Sequence, residues 1–410
     1  MNADADRTLI ESARRALSLI PGGGVVGLAV SGGGDSMAML HLIAGVTERP
    51  LAVATVDHRL RAEAAAEAAC VGQVCAGMGL PHEVLVWDHG AVAGNLMDAA
   101  RRARYALLAD WARARGIGAV LVAHTADDQA ETLLLGLARM AGLDGLAGMR
   151  PRWSQAGVAF HRPLLRVTRA DLRRYLMQRG LWFVDDPSND DTGFDRVKMR
   201  RALAGLGAVG ITAPGLAAVA RNLAREQADL RALVAEAAAR LVVERAGGLQ
   251  IDRAGFAALP DALARRLVQA ALLWLSGADH GPRAGALMRM VQALRDGRGA
   301  TLWGCRLVHR KDGALLVREP RSLGPEVPLG AVWDGRWQVT GPGAGSVRAV
   351  GADGLGQLPA WRAAGLSRDQ ALVTPAIWES NRLIAAPILT PGEEFAATLT
   401  AGFGLFLLSH

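Results

Sequence analysis

A chain of 410 residues exceeds one compact core and implies two or three domains. No uncharged apolar run reaches the roughly 18 residues of a membrane span, and the first residues, MNADADRTLIESARR, are charged where a secretion signal needs an apolar stretch, so a cytoplasmic protein with no membrane partner is expected. The formal charge of +7 suits a partner rich in phosphates, and the three cysteines, Cys70, Cys75 and Cys305, form no CxxC pair, which excludes a disulfide framework or a cysteine zinc site.

Residues 25–30 form a short apolar run, as in a strand covered on both faces. Ser31, Gly32, Gly33 and Gly34 end it, Asp35 and Ser36 follow, and the apolar text from Met37 to Ile43 reads as a helix whose N-terminus points at the loop. Glycines let backbone N–H groups approach a ligand closely, and a helix N-terminus favours anions, so the stretch reads as an anion cradle. It has neither the Lys-Ser/Thr ending of a Walker loop nor the spacing of a dinucleotide fingerprint. Taken alone it could also be a plain strand-to-helix turn.

The second apolar run, LAVATVDH, delivers Asp57, His58 and Arg59 to the carboxyl end of a strand, where parallel sheets bind ligands; a solvated turn is the ordinary alternative. HEVLVWD reads as a third strand. ARRARY then places Arg101, Arg104 and Tyr105 at helical spacing, as a charged helix face would. The fourth run, GAVLVAH, puts His124 at a strand end and Asp127, Asp128 and Glu131 at the start of the next helix. Dipole capping explains one carboxylate there but not three. Asp128 and Glu131 share a helix face, a paired negative charge suited to a magnesium ion or an ammonium group.

After HRPLLRVTRADLRRYL, the acidic-polar segment from Asp185 to Asp191 reads as a surface loop with a turn at Asp186-Pro187, and Arg196, Lys198, Arg200 and Arg201 form a basic cluster. Long helical text begins after Gly215, and short strands with Gly/Pro turns begin near 301. The expected organisation is an α/β parallel-sheet domain over 1–213, a helical domain over 214–300 and a small β-rich domain over 301–410.

Ser31, Gly32, Gly33, Gly34, Asp35 and Ser36 meet the S-G-G-x-D-S signature and resemble the pyrophosphate-loop ATP pyrophosphatases, which cleave ATP between its α- and β-phosphates. The series SGGGDS, VDHRLR, ARRARY, AHTADDQAETLLLGLARMAGLDGLAGM, RPLL and DPSNDD…FDRVKMR is similar, in order and spacing, to the tRNA(Ile)-lysidine synthetase family over about residues 22–203. It departs from that family's pattern at Met140-Ala141-Gly142 and at Val197-Lys198.

The resemblance implies the ATP pyrophosphatase-type fold and a two-step ligase. ATP would adenylate the C2 oxygen of the first anticodon cytidine of tRNA(Ile) with anticodon CAU, and L-lysine would displace AMP. It implies that residues 31–36 hold the leaving pyrophosphate, that Asp35 places Mg²⁺, and that Asp57, His58 and His124 line the ATP crevice. Asp128 and Glu131 would receive the lysine ammonium, and Arg101, Arg104, Arg196 and Arg200 would serve the α-phosphate and RNA backbone. A tRNA 2-thiolating relative is the rival reading, disfavoured by the missing CxxC cysteines; an inactive RNA-binding relative is a further one, disfavoured by the intact loop and carboxylates.

Overall fold

Strand β1, Val26–Ala29, is buried at all four positions and pairs in parallel on both sides, with β2, Leu51–Asp57, and, further along the chain, with the run Ala119–Val122. Strand β3, His82–Val86, adds in parallel to β2, and β4 is that Ala119–Val122 run. Alternate residues of β4 reach opposite cores: Ala119 and Leu121 join one apolar cluster, Val120 and Val122 the other. This double burial explains why the strand text is continuously apolar.

The computed structural model describes residues 3–90, 94–185, 195–278, 280–311 and 313–409, and the chain divides into two units, residues 1–227 and 228–410. Most of the expected acidic loop, from Asp186 to Asp191, lies outside the described residues.

In the first unit, helices α1, Ala3–Ser18, α2, Gly34–Ala44, and α3, Ala64–Gly77, contribute to one core cluster, and α4, Leu96–Ala114, to the other. Helix α2 buries Met37, Met39, Leu40, Leu42 and Ile43, leaving its polar chemistry to its first turn. After α5, Ala126–Ala138, and the short α6, Leu143–Leu146, comes a hairpin of β5, Arg152–Gln155, and β6, Val158–His161. Among the described residues the sheet order is β3-β2-β1-β4-β6-β5, with β5 antiparallel at the edge. This hairpin extends the four strands expected from the sequence. Its two-residue turn has positive φ at both Ala156 (49°) and Gly157 (79°), the conformation whose twist matches that of paired strands. Helices α7, Arg169–Gln178, and α8, Asp195–Leu206, follow; α7 packs on α2, and α8 on α5.

The second unit begins within α9, Ala213–Leu241, and carries α10, Arg253–Ala257, α11, Asp261–Ser276, and α12, Ala284–Arg295. A hairpin of β7, Val242–Arg245, and β8, Gly248–Ile251, interrupts this helical stretch and pairs through β8 with the strand Gly313–Arg318, forming a five-stranded antiparallel sheet. Two smaller antiparallel sheets follow, whose cores include Trp333 and Trp378. Cys75 and Cys305 are buried, Cys70 is half-buried, and all three are free thiols. No single described helix is long and apolar enough to cross a membrane.

Candidate active site

The loop between β1 and α2 takes its shape from two glycines. Gly32 has φ +88°, a conformation that L side chains rarely adopt, and a Cβ on Gly34 would stand 3.3 Å from Phe183 Cδ2. The Gly32 carbonyl accepts the Val184 N–H at 2.9 Å, so a segment 152 residues downstream holds the loop from outside. Buried Ser36 donates its hydroxyl to the Gly33 carbonyl at 2.9 Å and accepts the Ser31 N–H at 3.1 Å. Ser31 itself is exposed, with its hydroxyl 3.2 Å from that of Ser36. Gly33 is the N-cap of α2 and supplies no side-chain cap, which leaves the helix N-terminus to an anion.

Carboxylates from two helices converge on Arg169, the first residue of α7. Its Nε lies 3.1 Å from Asp35 Oδ2, its Nη2 3.2 Å from Asp128 Oδ1 and its Nη1 3.5 Å from Glu131 Oε1. Its backbone N–H donates to Asp127 Oδ2 at 2.8 Å. Thr168 caps α7 by accepting the Asp171 N–H, which fixes where Arg169 begins the helix. Asp128 is held from its other oxygen, which accepts the Thr125 N–H at 2.7 Å and the Thr125 hydroxyl at 2.9 Å in a capping box. Glu131, 1% exposed, also accepts Arg200 Nε at 3.0 Å.

These contacts divide the carboxyls electrostatically. Burial pushes the Asp35 pKa up, with Asp128 and Asp127 adding to it, and Arg169 offsets only part of the rise. Burial also works against ionised Asp128, but Arg169, His124 and the Thr125 hydrogen bonds outweigh it and hold its pKa below the ordinary value. Arg169 is opposed by burial as well, and its three carboxylate neighbours raise its pKa regardless. Asp35 Oδ1 is buried and unpartnered. One free carboxylate oxygen beside a phosphate cradle fits Mg²⁺, which is commonly bound by one or two carboxylates together with substrate phosphates. Among the described residues no three His, Cys, Asp or Glu side chains form a metal-ligand group by themselves.

His124, at the end of β4, accepts Arg162 Nε at Nδ1 (3.1 Å). Burial pushes its pKa down to about 3; Asp128 opposes this, and Arg162, Arg104 and Arg101 reinforce it, so the imidazole is neutral near pH 7. Arg162 is buried, with its guanidinium carbon 3.8 Å from the Trp153 ring centroid. At the end of β2, buried Asp57 accepts the Arg59 N–H at 2.8 Å. Burial lowers the pKa of His58, and the neighbouring Arg104 lowers it further.

The structure therefore joins the 31–36 loop, Asp35, Asp128, Glu131 and Arg200 in one cluster, with His124 beside Asp128. Asp57 and His58 stand at the next strand end, and Arg104 acts electrostatically on both His58 and His124. Arg196 is exposed, and Arg101 is exposed with its guanidinium carbon 5.3 Å from the Tyr105 ring centroid. Sequence reasoning assigned no role to Arg169 or Arg162. Arg162 stands in the RPLL motif, whereas Arg169 carries no mark beyond its place after a capping threonine.

A family model described as a PP-loop domain matches residues 9–206. A tRNA(Ile)-lysidine synthase of Ruegeria pomeroyi is 45% identical over 394 residues, covering 94% of this chain and 94% of that protein. One of Methylobacterium nodulans is 41% identical, covering 75% of this chain and 91% of that protein. Among solved structures, a U34-tRNA thiolase of Methanococcus maripaludis with its [4Fe-4S] cluster aligns with a TM-score of 0.48 and 14% identity over 55% of this chain and 80% of that one.

Proposed function

Since the chain belongs to the tRNA(Ile)-lysidine synthase family, we propose that it joins L-lysine to the first anticodon cytidine of tRNA(Ile) with anticodon CAU, using ATP. The observation that carries this reading is the convergence of Asp35, at the end of the glycine loop, and the Asp128–Glu131 pair on one guanidinium, Arg169. Phosphate chemistry and ammonium chemistry thereby meet within one cluster.

In the first step the cytidine C2 oxygen attacks the α-phosphorus of ATP and the bond to the β-phosphate oxygen breaks. Pyrophosphate leaves into the loop, where the N-terminus of α2 and the Ser31 hydroxyl stabilise its charge while Ser36 holds the loop in shape. Asp35 Oδ1 would hold Mg²⁺, which when bound supplies positive charge to the phosphates. Arg104 and Arg200 are the cations for the α-phosphate, and Asp57, His58 and His124 line the nucleotide crevice.

In the second step the lysine side-chain amine attacks C2, the C2–O bond breaks and AMP leaves with that oxygen. The ammonium arrives charged, sheds one proton to become the attacking amine, and loses a second to solvent as the C–N bond is completed and AMP departs. Asp128, held ionised, and buried Glu131 form an acidic pair that attracts it, in competition with Arg169 and Arg200. Arg221 stands near Arg166 and Arg225, whose charges add to burial in lowering its pKa, and we propose these three cations as contacts for RNA phosphates. A cytoplasmic location is the reading that ATP and tRNA as substrates support.

A thiolating relative would use CxxC-type cysteines, which this sequence lacks, and burial pushes the thiols of Cys75 and Cys305 up to about 11. The deciding experiment incubates the protein with ATP, Mg²⁺, lysine and tRNA(Ile) bearing CAU, then measures AMP, pyrophosphate and nucleoside masses. Lysine-dependent formation of a lysyl-cytidine supports the assignment, and its absence alongside an active reference enzyme overturns it.

A further inference from the structure

Strand β3 lies at the sheet edge, and its continuation belongs to neither apolar core of the first unit. The Trp87 N–H donates to the Asp57 carbonyl at 2.8 Å, extending the β2–β3 pairing by one step and bringing Trp87 beside His58. The two rings meet edge to face, with centroids 5.9 Å apart and planes at 85°. The indole also stands 4.2 Å from the His89 ring at 36°, and His89 Nε2 lies 3.2 Å from the His58 carbonyl. Arg59 and Asp88 tie the two strand ends together at 2.7 Å. All three rings are half-buried, and His58 Nδ1 is buried without a partner.

We propose that Trp87, flanked by His58 and His89, is a stacking wall for a nucleobase held at the carboxyl ends of β2 and β3. The inference rests on the 31–36 loop holding the nucleotide's phosphates. Adjacent strands lie about 4.8 Å apart, so the end of β3 is roughly 10 Å from the loop that follows β1. A nucleotide whose β-phosphate lies in the loop reaches about that far across its α-phosphate and ribose to its base. Trp87 sits with polar aromatics at the rim where parallel sheets bind ligands. Every nucleobase has a π-face for such a wall, and His58 Nδ1 provides an unused polar atom at its edge.

The base comes either from ATP or from the tRNA, and two measurements separate them: ATP affinity by equilibrium dialysis without tRNA, and tRNA affinity by filter binding without ATP. Trp87→Leu keeps an apolar side chain but removes the π-face, and is expected to weaken one of the two affinities by about five- to a hundredfold. Trp87→Phe is expected to restore most of the loss, and both variants should melt like the wild type. Loss of ATP affinity assigns adenine to the wall, and loss of tRNA affinity assigns the target base. Wild-type affinity for both ligands in Trp87→Leu overturns the wall. If Asp35→Ala loses ATP turnover in the same series, the loop assignment stands independently of that result.

Discussion

Arg169 Nε stands 3.1 Å from Asp35 Oδ2 across 134 residues of sequence, and the same guanidinium reaches Asp128 and Glu131. One arginine thus links the acid of the phosphate loop to the acids assigned to lysine. Removing its charge should change both sites. In Arg169→Met, Asp35 loses the influence that lowers its already raised pKa, so its carboxyl protonates at higher pH. The acid limb of the pH profile for ATP turnover is expected to move upwards, and Arg169→Lys should move it less. An unmoved limb in the Met variant would show that Arg169 does not tune Asp35.

Asp35→Asn should lower AMP formation by about a hundredfold or more, the scale seen when one electrostatic contact to a developing charge is lost. Its stability should hold. Because burial raises the folded-state pKa of Asp35, its stabilising contribution is complete below the unfolded value of 3.8 and is lost as pH rises through the folded value. The neutral amide removes a buried charge whose desolvation opposes folding, so the melting temperature at pH 7 is expected not to fall. AMP release and a thermal melt on the same sample check both parts.

Glu131→Gln should weaken the lysine-dependent step more than adenylation. A charge-assisted contact contributes about 1.5–3 kcal/mol, or about ten- to a hundredfold in apparent lysine affinity. Glu131 is 1% exposed and serves Arg169 and Arg200, so the variant should also melt earlier. Lysine titration of product formation, against AMP formation at saturating ATP, separates the two steps; equal losses in both would remove the special role.

His124 is held neutral in the fold, with its pKa pushed down from 6.5 to about 3. Below 6.5 the unfolded chain binds a proton that the folded chain refuses, so stability falls as pH drops from there towards 3. His124→Asn should flatten that part of the curve of melting temperature against pH. An unchanged slope would mean that His124 does not govern acid sensitivity in this range.

The arginine cluster of Arg166, Arg221 and Arg225 gives a prediction for RNA binding. The tRNA affinity of the full chain should fall steeply between about 50 and 200 mM salt as displaced counterions compete. Arg225→Ala should weaken it and reduce the slope of log affinity against log salt by about one. A slope identical to wild type would take Arg225 out of the RNA contact.

The elements around the phosphate loop were legible because their causes are local. An apolar run, three glycines and an apolar helix specify strand, tight turn and buried helix within 20 residues, and the three-residue spacing of Asp128 and Glu131 places them on one face wherever that helix docks. The edge hairpin of β5 and β6 was not legible, since a strand as short and polar as RWSQ carries no apolar run. The hairpin of β7 and β8 was hidden in helical text, and its turn relies on positive φ at Ala246 (52°), an alanine that sequence alone does not mark as a turn residue. Arg169 shows the limit most clearly. In TRADLRR it is chemically identical to Arg173 and Arg174, which form ion pairs at more exposed positions with Asp185 and Asp171. Sequence by itself determined that a glycine-rich strand-to-helix loop and an acidic pair exist. Only the tertiary structure decided which arginine joins them, because that choice depends on α7 docking against α2, and docking is set by packing between segments more than 100 residues apart.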